Sequence, residues 1–470
     1  MIVSVQHDFS SHRLVILGGG PGGYEAAMVG AQLGAQVTII ERAGMGGSAV
    51  LTDVVPSKTL IATADAMRRV VGAREFGVKV GEDSTEAVAD LSIVNARLLA
   101  LAKDQSADIH VGLERVGVRV VIGEGKLLDA NTVEVTRADG STEQIDADAL
   151  LISTGAHARE LPTAKPDGER IFNWTQVYNL KEVPEHLIVI GSGVTGAEFA
   201  SAYNLLGTKV TLVSSRDRVL PGEDADAAEV LEEAFKRNGV NVVAQARAEA
   251  VVRDGDKVLV TLGDGRVLEG SHCLVAVGSI PNTADIGLEA AGVQLTESGH
   301  IKVDGVSRTT ATNVYAAGDC TGVFALASVA AMQGRIAMAH LLGDSVKPLK
   351  LNEVSSNIFT SPEIATVGVS QRMVAEGKYQ ADIIKLDLAT NARAKMMNIN
   401  QGFVKIISRR GSGTVIGGVV VAPRASELIF SIALAVHNKL HVDDVAETFS
   451  VYPSLSGSIS EASRRLHVHL

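Results

Sequence analysis

The sequence is poor in cysteine: only Cys273 and Cys320 occur among 470 residues. No group of cysteine and histidine residues has the spacing of a zinc site, so we expect no metal. A disulfide between the two cysteines would be possible, but two buried thiols in a reducing compartment are the expected state. The scarcity of cysteine therefore predicts a cytoplasmic protein.

The sequence also lacks an excess of positive charge and long apolar runs. Its formal net charge is −11, and lysine and arginine form no block, so nucleic acid and anionic membranes are not expected partners. No stretch reaches the roughly 18 uninterrupted apolar residues of a membrane span, and residues 1–12 lack a signal-peptide pattern. The length and the 46% hydrophobic content predict several globular domains.

Glycine, in contrast, is abundant, and six residues near the N-terminus carry a recognisable pattern, Gly18-Gly19-Gly20-Pro21-Gly22-Gly23. The loop follows a short apolar strand and precedes a helix and a second strand that ends at Glu41. A G-x-G-x-x-G loop in this context, with an acid about 20 residues later, predicts a dinucleotide site. Gly18 permits the turn, Gly20 lets the backbone approach a pyrophosphate, and Gly23 lets the helix pack. Glu41 is then the acceptor for the ribose hydroxyls.

The same unit recurs at Gly191-Ser192-Gly193-Val194-Thr195-Gly196, again between an apolar strand and a helix. Here the position of the acid is taken by Ser214, and Ser215-Arg216-Asp217-Arg218 follows. A serine does not repel a 2′-phosphate, and Arg216 and Arg218 are suited to pair with one. The second site is therefore predicted to take NADPH, with NADH not excluded.

The segment Gly46-Gly47-Ser48-Ala49-Val50-Leu51-Thr52-Asp53-Val54-Val55-Pro56-Ser57-Lys58 resembles the redox-site segment of the flavoprotein disulfide reductases, the family of lipoamide dehydrogenase. That family has the pattern G-G-T-C-x-x-x-x-C-x-P-S-K. Ala49 and Val54 occupy the two cysteine positions, and aliphatic side chains cannot carry electrons as a dithiol does. The resemblance thus implies the frame of a disulfide reductase without its redox-active disulfide.

A second segment of the same site has also changed. The family ends in H-P-T-x-S-E, where the histidine is the acid/base for the dithiol, and this chain has Tyr452-Pro453-Ser454-Leu455-Ser456-Gly457. Tyr452 replaces the histidine and Gly457 replaces the glutamate that orients it. Four joint losses indicate a different electron acceptor.

Other residues of the resemblance are kept. Lys58 stands where the family's lysine approaches flavin N5, and Glu198 stands where its glutamate partner lies. Such a charge stabilises a flavin that accepts hydride. The candidate catalytic residues are therefore Lys58, Glu198 and Tyr452, the last acting across a dimer.

The resemblance covers nearly the whole chain and implies an α/β fold with two Rossmann-type dinucleotide-binding domains and a C-terminal α+β dimerisation domain. It divides the chain into an FAD-binding domain (1–157 and 285–347), an NAD(P)-binding domain (158–284) and an interface domain (348–470). The implied cofactors are FAD and NADPH or NADH, and the implied assembly is a homodimer. The candidate cofactor-binding residues are Gly18, Gly20, Pro21, Gly23, Glu41, Gly47, Ser48, Lys58, Thr154, Gly155, Gly318, Asp319, Gly191, Gly193, Gly196, Ser214, Ser215, Arg216, Arg218 and Gly278.

Without a dithiol, the acceptor must meet the flavin directly. A quinone is planar, mostly apolar and carries two carbonyl acceptors, which suits small apolar residues on one side and a tyrosine that stacks or donates. The sequence therefore predicts an FAD-dependent NAD(P)H:quinone oxidoreductase. Soluble pyridine-nucleotide transhydrogenase is an alternative, because that branch has Y-P-T, although it typically keeps one cysteine. A non-catalytic flavoprotein scaffold is the third hypothesis, and the retained Lys58 and Glu198 argue against it.

Overall fold

The computed structural model describes residues 11–79 and 87–467. The strands, in chain order, are β1 (Arg13–Leu17), β2 (Gln36–Glu41), β3 (Arg119–Ile122), β4 (Glu124–Leu127), β5 (Thr132–Thr136), β6 (Thr142–Asp146), β7 (Ala149–Ile152), β8 (Ala156–Ala158), β9 (Ile171–Asn173), β10 (His186–Ile190), β11 (Lys209–Val213), β12 (Asn241–Val243), β13 (Ala248–Asp254), β14 (Lys257–Leu262), β15 (Val267–Gly270), β16 (His272–Val275), β17 (Ser279–Pro281), β18 (Val314–Ala316), β19 (Ser355–Ile358), β20 (Glu363–Gly368), β21 (Ala381–Asp387), β22 (Phe403–Arg409) and β23 (Val415–Ala422).

The α-helices, in the same order, are α1 (Pro21–Gln32), α2 (Gly47–Leu51), α3 (Val54–Val71), α4 (Leu91–Arg115), α5 (Val194–Leu205), α6 (Ala225–Arg237), α7 (Ala327–Leu341), α8 (Gln371–Ala375), α9 (Ala392–Met396), α10 (Ala425–Asn438), α11 (Val442–Glu447) and α12 (Gly457–Arg464). Short 3₁₀ helices occupy Gly72–Phe76, Val177–Asn179, Asp319–Thr321, Leu351–Glu353 and Leu388–Thr390. No helix within the described ranges combines the length and the apolar character that crossing a membrane requires.

The chain divides into two compact units. The first unit comprises Met1–Thr59, Ile93–Arg159 and Gly278–Leu349, and the second comprises Leu60–Ser92, Glu160–Val277 and Lys350–Leu470. The second unit therefore contains most of the predicted NAD(P)-binding segment and nearly all of the predicted interface segment. The finer division at residues 157, 284 and 347 stays a prediction.

The first unit is built on a five-stranded sheet in the order β18-β7-β1-β2-β3, with all neighbours parallel. Strand β1 is apolar on both faces, because Leu14 and Ile16 belong to one buried cluster and Val15 and Leu17 to another. A continuous apolar strand is typical of a parallel sheet that is covered on both sides. Each such buried side chain contributes about 1.5–3 kcal/mol. A three-stranded antiparallel sheet, β4-β5-β6, and the two-stranded ribbon β17-β8 complete this unit.

The second unit repeats this architecture and adds a different one. Its five-stranded sheet has the order β12-β11-β10-β16-β9 and is parallel throughout. A three-stranded antiparallel sheet, β13-β14-β15, belongs to the same part of the chain. The C-terminal segment forms a five-stranded antiparallel sheet, β19-β20-β23-β22-β21, whose apolar face shares a buried cluster with α10. The predicted fold class, two Rossmann-type parallel sheets and a C-terminal α+β region, is confirmed.

Candidate active site

The loop between β1 and α1 has the geometry of a phosphate-binding turn. Gly18 has φ +105°, where a side chain is strained, and a Cβ there would collide with the carbonyl oxygen of Ser153. Helix α1 begins at Pro21 after Gly20, and no side chain caps the first turn. The Gly23 N–H donates to the Gly20 carbonyl at 2.9 Å, and the positive end of the helix dipole suits an anionic ligand. The residues present thus fit the pyrophosphate of a dinucleotide.

Glu41 is held beside this loop. Its side chain is largely buried, Oε2 accepts the Gly19 N–H at 2.6 Å, and Oε1 accepts the Ala43 N–H at 2.8 Å. Each carboxylate oxygen keeps a further acceptor site, which leaves capacity for the ribose hydroxyls. The sequence singles out Glu41 as a candidate ribose ligand, but it does not predict the hydrogen bond from Gly19 that fixes the carboxylate.

The start of α2 adjoins the same loop. The Gly46 N–H donates to the Gly19 carbonyl at 2.7 Å, and a Cβ on Gly47 would lie 3.0 Å from the Gly20 Cα. The candidate residue Gly47 is therefore needed for close packing. Ser48, the next candidate, is exposed in the first turn of α2.

Asp319 opens the 3₁₀ helix that follows β18. Burial raises the pKa of its carboxyl group above the ordinary value, whereas His300 opposes this rise. Hydrogen bonds from the hydroxyls of a ribityl chain would stabilise the ionised carboxylate at this position. The turn itself is fixed by Gln333, a fully buried residue that sequence reasoning missed, whose Oε1 accepts the Gly318 N–H at 2.9 Å.

The segment with Thr154 and Gly155 and the segment that follows Gly278 lie side by side in the first unit, and all three residues are candidate cofactor-binding residues. The Thr154 hydroxyl donates to the carbonyl oxygen of Asn282 at 2.7 Å, and the Asn282 side-chain amide donates back to Thr154 at 2.8 Å. The Asn282 N–H donates to Gly155 at 2.9 Å, and the Arg159 N–H donates to Gly278 at 3.0 Å. Asn282, which is not among the candidate residues, thus holds the segment with Thr154 and Gly155 in place.

The second glycine loop, between β10 and α5, reproduces the first. Gly191 has φ +111°, and a Cβ there would collide with the carbonyl oxygen of Ala276. Helix α5 starts after Gly193, again without a side-chain cap. A Cβ on Gly196 would meet the Gly191 carbonyl, just as a Cβ on Gly23 would meet that of Gly18. This geometry fits a second dinucleotide.

Ser214 stands where the first repeat has its acid, but its side chain is completely buried. Its hydroxyl lies 2.7 Å from the Ser192 hydroxyl, accepts the Arg216 N–H at 3.1 Å, and is within 3.2 Å of the Arg216 and Arg218 carbonyl oxygens. The hydroxyl is therefore engaged within the protein and shapes the turn. Ser215 and Arg216 are exposed, while Arg218 is partly exposed and lies 3.7 Å from Asp217.

Lys58 lies on the first turns of α3. Its Nζ is 3.4 Å from the Ser57 hydroxyl, and its side chain is partly exposed. Val54 precedes it by four residues on the same helix, so the two side chains share one face. Ala49, in α2, is also partly exposed. The predicted redox segment therefore combines one cation with aliphatic side chains.

Glu198 is buried within α5 in the second unit. Its Oε1 accepts the Phe359 N–H at 2.8 Å, and one turn further on the Ser201 hydroxyl accepts the Ser361 N–H at 3.0 Å. Two polar side chains on one helix face thus hold the turn between β19 and β20. This contact was not foreseen, and the predicted pair of Glu198 with Lys58 stays a prediction.

Tyr452 is exposed in the protomer. Its side chain and those of Phe449 and Val451 all lie on the surface, although they are large and apolar. The following segment is anchored, because the Asn391 side chain donates to the Ser454 carbonyl at 3.0 Å. This exposure supports the expectation that Tyr452 acts in a partner's site, which stays a prediction.

The two cysteines cannot replace the missing dithiol. Both are buried and neither forms a disulfide, as predicted. Burial raises the pKa of the Cys273 thiol. Burial also raises the pKa of the Cys320 thiol, to about 11, although hydrogen bonds from Gly155 and Thr154 act in the opposite direction. The Cys320 thiol lies 3.3 Å from the Ala317 carbonyl oxygen. Such thiols stay protonated and unreactive at neutral pH. The described residues also contain no cluster that would hold a metal ion.

Comparison with known proteins agrees with this geometry. The sequence matches the pyridine nucleotide-disulphide oxidoreductase family over residues 12–334 and the dimerisation domain of that family over residues 354–463. It is 54% identical to an NAD(P)H dehydrogenase (quinone) of Mycobacterium tuberculosis, over 97% of this chain and 94% of that protein. It is 32% identical to the dihydrolipoyl dehydrogenase of Geobacillus stearothermophilus, over 96% of this chain and 95% of that protein.

Solved structures of similar proteins superpose on this chain over nearly its whole length. The crystal structure of LpdA from Mycobacterium tuberculosis superposes with a TM-score of 0.93 at 53% identity, covering 97% of this chain and all of that one. The HOCl-induced flavoprotein disulfide reductase RclA from Escherichia coli superposes with a TM-score of 0.85 at 25% identity, covering 96% of this chain and 99% of that one. The chain is therefore an oxidoreductase that binds FAD, uses NAD(P)H and belongs to the pyridine nucleotide-disulphide oxidoreductase family.

Proposed function

We propose that the protein is an NAD(P)H:quinone oxidoreductase that works without a redox dithiol. The observation that carries this proposal is the composition of the redox segment, where Ala49 and Val54 precede a retained Lys58 and no reactive thiol is present. The relative named NAD(P)H dehydrogenase (quinone), at 54% identity, supports it.

FAD, when bound, supplies a two-electron carrier between the nicotinamide and the acceptor. The first glycine loop, Glu41 and Asp319 are proposed to hold its pyrophosphate, adenosine ribose and ribityl chain, in that order. The second glycine loop is proposed to orient NAD(P)H through its pyrophosphate. Lys58 would place a positive charge where negative charge develops, and Glu198 would hold that lysine.

The acceptor is proposed to be a planar, mostly apolar molecule. The aliphatic side chains of Ala49 and Val54 leave an apolar surface where the resemblance places a dithiol. Tyr452 of the partner subunit would stack on such a molecule or donate its hydroxyl to a carbonyl oxygen. We therefore also propose a homodimer, which the match to the dimerisation domain supports.

Flavin-loaded protein is expected to oxidise NADPH or NADH with menadione at about 10 s⁻¹, a typical enzyme turnover. Oxidised lipoamide should not be reduced, either by the wild type or by the double variant Ala49→Cys/Val54→Cys, because Tyr452 and Gly457 supply no acid/base. The measurement is steady-state loss of absorbance at 340 nm under nitrogen. Absence of menadione-dependent oxidation would make the proposal wrong.

The same preparation distinguishes the alternatives. Reduction of thio-NAD⁺ by NADPH in preference to menadione would indicate a transhydrogenase. A bound flavin that neither nicotinamide nucleotide bleaches would indicate a scaffold.

We propose further that NADPH is the preferred nucleotide, because Arg216 is exposed and Arg218 partly exposed at the end of β11. The double variant Arg216→Ala/Arg218→Ala is expected to raise the KM for NADPH about tenfold, the equivalent of roughly 1.4 kcal/mol, and to leave that for NADH nearly unchanged. Arg266→Ala, which removes an exposed arginine paired with Asp264 in the same unit, is the control. Equal changes in both KM values would contradict recognition of a 2′-phosphate.

A further inference from the structure

Lys405 is a buried cation that the proposed chemistry does not use. It lies in β22, its side chain is 1% exposed, and its Nζ donates to both carboxylate oxygens of Asp224 at 2.8 Å. The same ammonium lies 2.7 Å from Asp226 and 2.5 Å from Gln371 Oε1. The C-terminal sheet thus holds the start of α6, a helix of the parallel-sheet region.

The cluster is compensated in charge. An ammonium removed from water is costly unless anions and hydrogen bonds replace its hydration, and two carboxylates do so here. Lys385, exposed on the neighbouring β21, lies 3.7 Å from Asp226 and brings a second cation to the pair. Burial alone raises the pKa of Asp226, but the contacts with Lys405 and Lys385 bring it below the ordinary value. The Asp226 carboxylate is therefore an ionised partner of Lys405.

Asp224 is also the residue where the loop 214–224 ends. Its carboxylate accepts the Ala227 N–H at 3.3 Å and so caps the N-terminus of α6. The loop carries Arg216 and Arg218, the residues proposed to recognise the 2′-phosphate. Lys405 therefore contacts Asp224, the last residue of this loop. The position of the loop decides where the guanidinium groups of Arg216 and Arg218 lie.

The loop also contains one residue in a strained conformation. Leu220 has φ +52°, which is unfavourable for a branched side chain, and its N–H donates to the Ser192 carbonyl at 2.9 Å. The Val219 N–H donates to Glu232 of α6 at 2.6 Å. Such a conformation persists only where the surroundings hold it. The anchors are Ser192 of the glycine loop, Glu232 and, through Asp224, Lys405.

We propose that Lys405 is a positioning residue for recognition of the nicotinamide nucleotide. By fixing Asp224 and Asp226, it holds the C-terminal end of the loop and so aligns Arg216 and Arg218 with the ribose that they recognise. The proposal rests on the proposed 2′-phosphate site and is independent of the quinone acceptor.

The test is calorimetric titration of the flavin-loaded protein with 2′,5′-ADP and with 5′-ADP, which differ only in the 2′-phosphate. Lys405→Met is expected to weaken binding of 2′,5′-ADP on the order of tenfold, since small displacements of binding groups have effects of this size or larger. Binding of 5′-ADP should change less than twofold. Lys257→Met, which removes an exposed lysine paired with Glu269 in the same unit, is the matched control and should bind both ligands as the wild type does.

If Lys405→Met does not fold, Asp224→Asn takes its place, because asparagine still caps a helix but lacks the charge that holds Lys405. It is expected to show the same selective loss. A folded variant that melts at a lower temperature but binds 2′,5′-ADP normally would overturn the proposal, since Lys405 would then serve stability alone.

The double variant Arg216→Ala/Arg218→Ala separates the two ideas. If it binds 2′,5′-ADP as the wild type does, the 2′-phosphate site is wrong and the role of Lys405 falls with it. If it binds weakly while Lys405→Met binds normally, the phosphate site stands and only the positioning role is wrong.

Discussion

Replacement of Gly193 by valine is expected to abolish binding of the nicotinamide nucleotide while FAD content and thermal stability stay unchanged. Gly193 has φ −72° and ψ −174°, values that valine adopts readily, and apart from the adjoining residues no heavy atom lies within 4 Å of a Cβ built there. The folded chain therefore accepts the side chain. Only a ligand that approaches the backbone at the start of α5 would meet it, as a pyrophosphate must.

Gly20→Val is the matched variant in the first repeat. Gly20 has φ −68° and ψ −178°, and apart from the adjoining residues a Cβ built there also meets no heavy atom within 4 Å. We expect this variant to fold and to lose FAD. Gly72→Val, at a glycine with equally open surroundings outside both loops, should retain both cofactors.

Three measurements distinguish the variants: the flavin absorbance of the purified protein, the melting temperature, and bleaching of the flavin by NADPH without oxygen. Gly193→Val should keep a flavin that NADPH no longer bleaches. Loss of flavin from Gly193→Val with retention in Gly20→Val would mean that the two loops have been assigned in the wrong order. If both variants retain their flavin and NADPH bleaches it in both, neither loop binds a pyrophosphate as proposed.

The strand–loop–helix geometry of the two glycine loops was predictable from the sequence, because its determinants are local. A strand apolar on both faces, glycines where the backbone turns or packs closely, and a following helix are all encoded within about 30 residues. The collisions that a Cβ would cause at Gly18 and Gly191 are the same in both repeats, so similar glycine patterns correspond to similar geometry. The fold class followed from this repetition.

The contacts that hold the site were not predictable in the same way. Glu198 and the Phe359 N–H that it accepts are 161 residues apart, and Lys405 and Asp224 are 181 residues apart. Ser214 looked like a missing acid, and only the packing of Ser192 shows that its hydroxyl points inward. Periodicity and motif spacing carry no information on such pairs, because tertiary packing of distant segments decides them.

Replacement of Lys58 by methionine is expected to lower the rate of flavin reduction by NADPH on the order of 10²-fold, the typical effect of removing one preorganised electrostatic group. Methionine keeps much of the length of the side chain and removes the charge. Arg69→Met, at an exposed cation on the same helix, is the control and should leave the rate unchanged. The measurement is stopped-flow bleaching of the flavin under nitrogen, with flavin content determined beforehand.

Glu198→Gln tests whether the predicted pair exists. Glutamine retains an oxygen that accepts the Phe359 N–H, so the turn between β19 and β20 should stay in place while the charge is lost. If Glu198 acts by holding Lys58, the double variant Lys58→Met/Glu198→Gln should reduce its flavin no more slowly than Lys58→Met alone, because the carboxylate then has no lysine to orient. Multiplicative losses in the double variant would contradict the pair and leave Glu198 as a residue that positions the Phe359 turn. If Lys58→Met reduces its flavin at the normal rate, Lys58 takes no part in the reaction. The main reason for placing the hydride acceptor beside the aliphatic redox segment would then be lost.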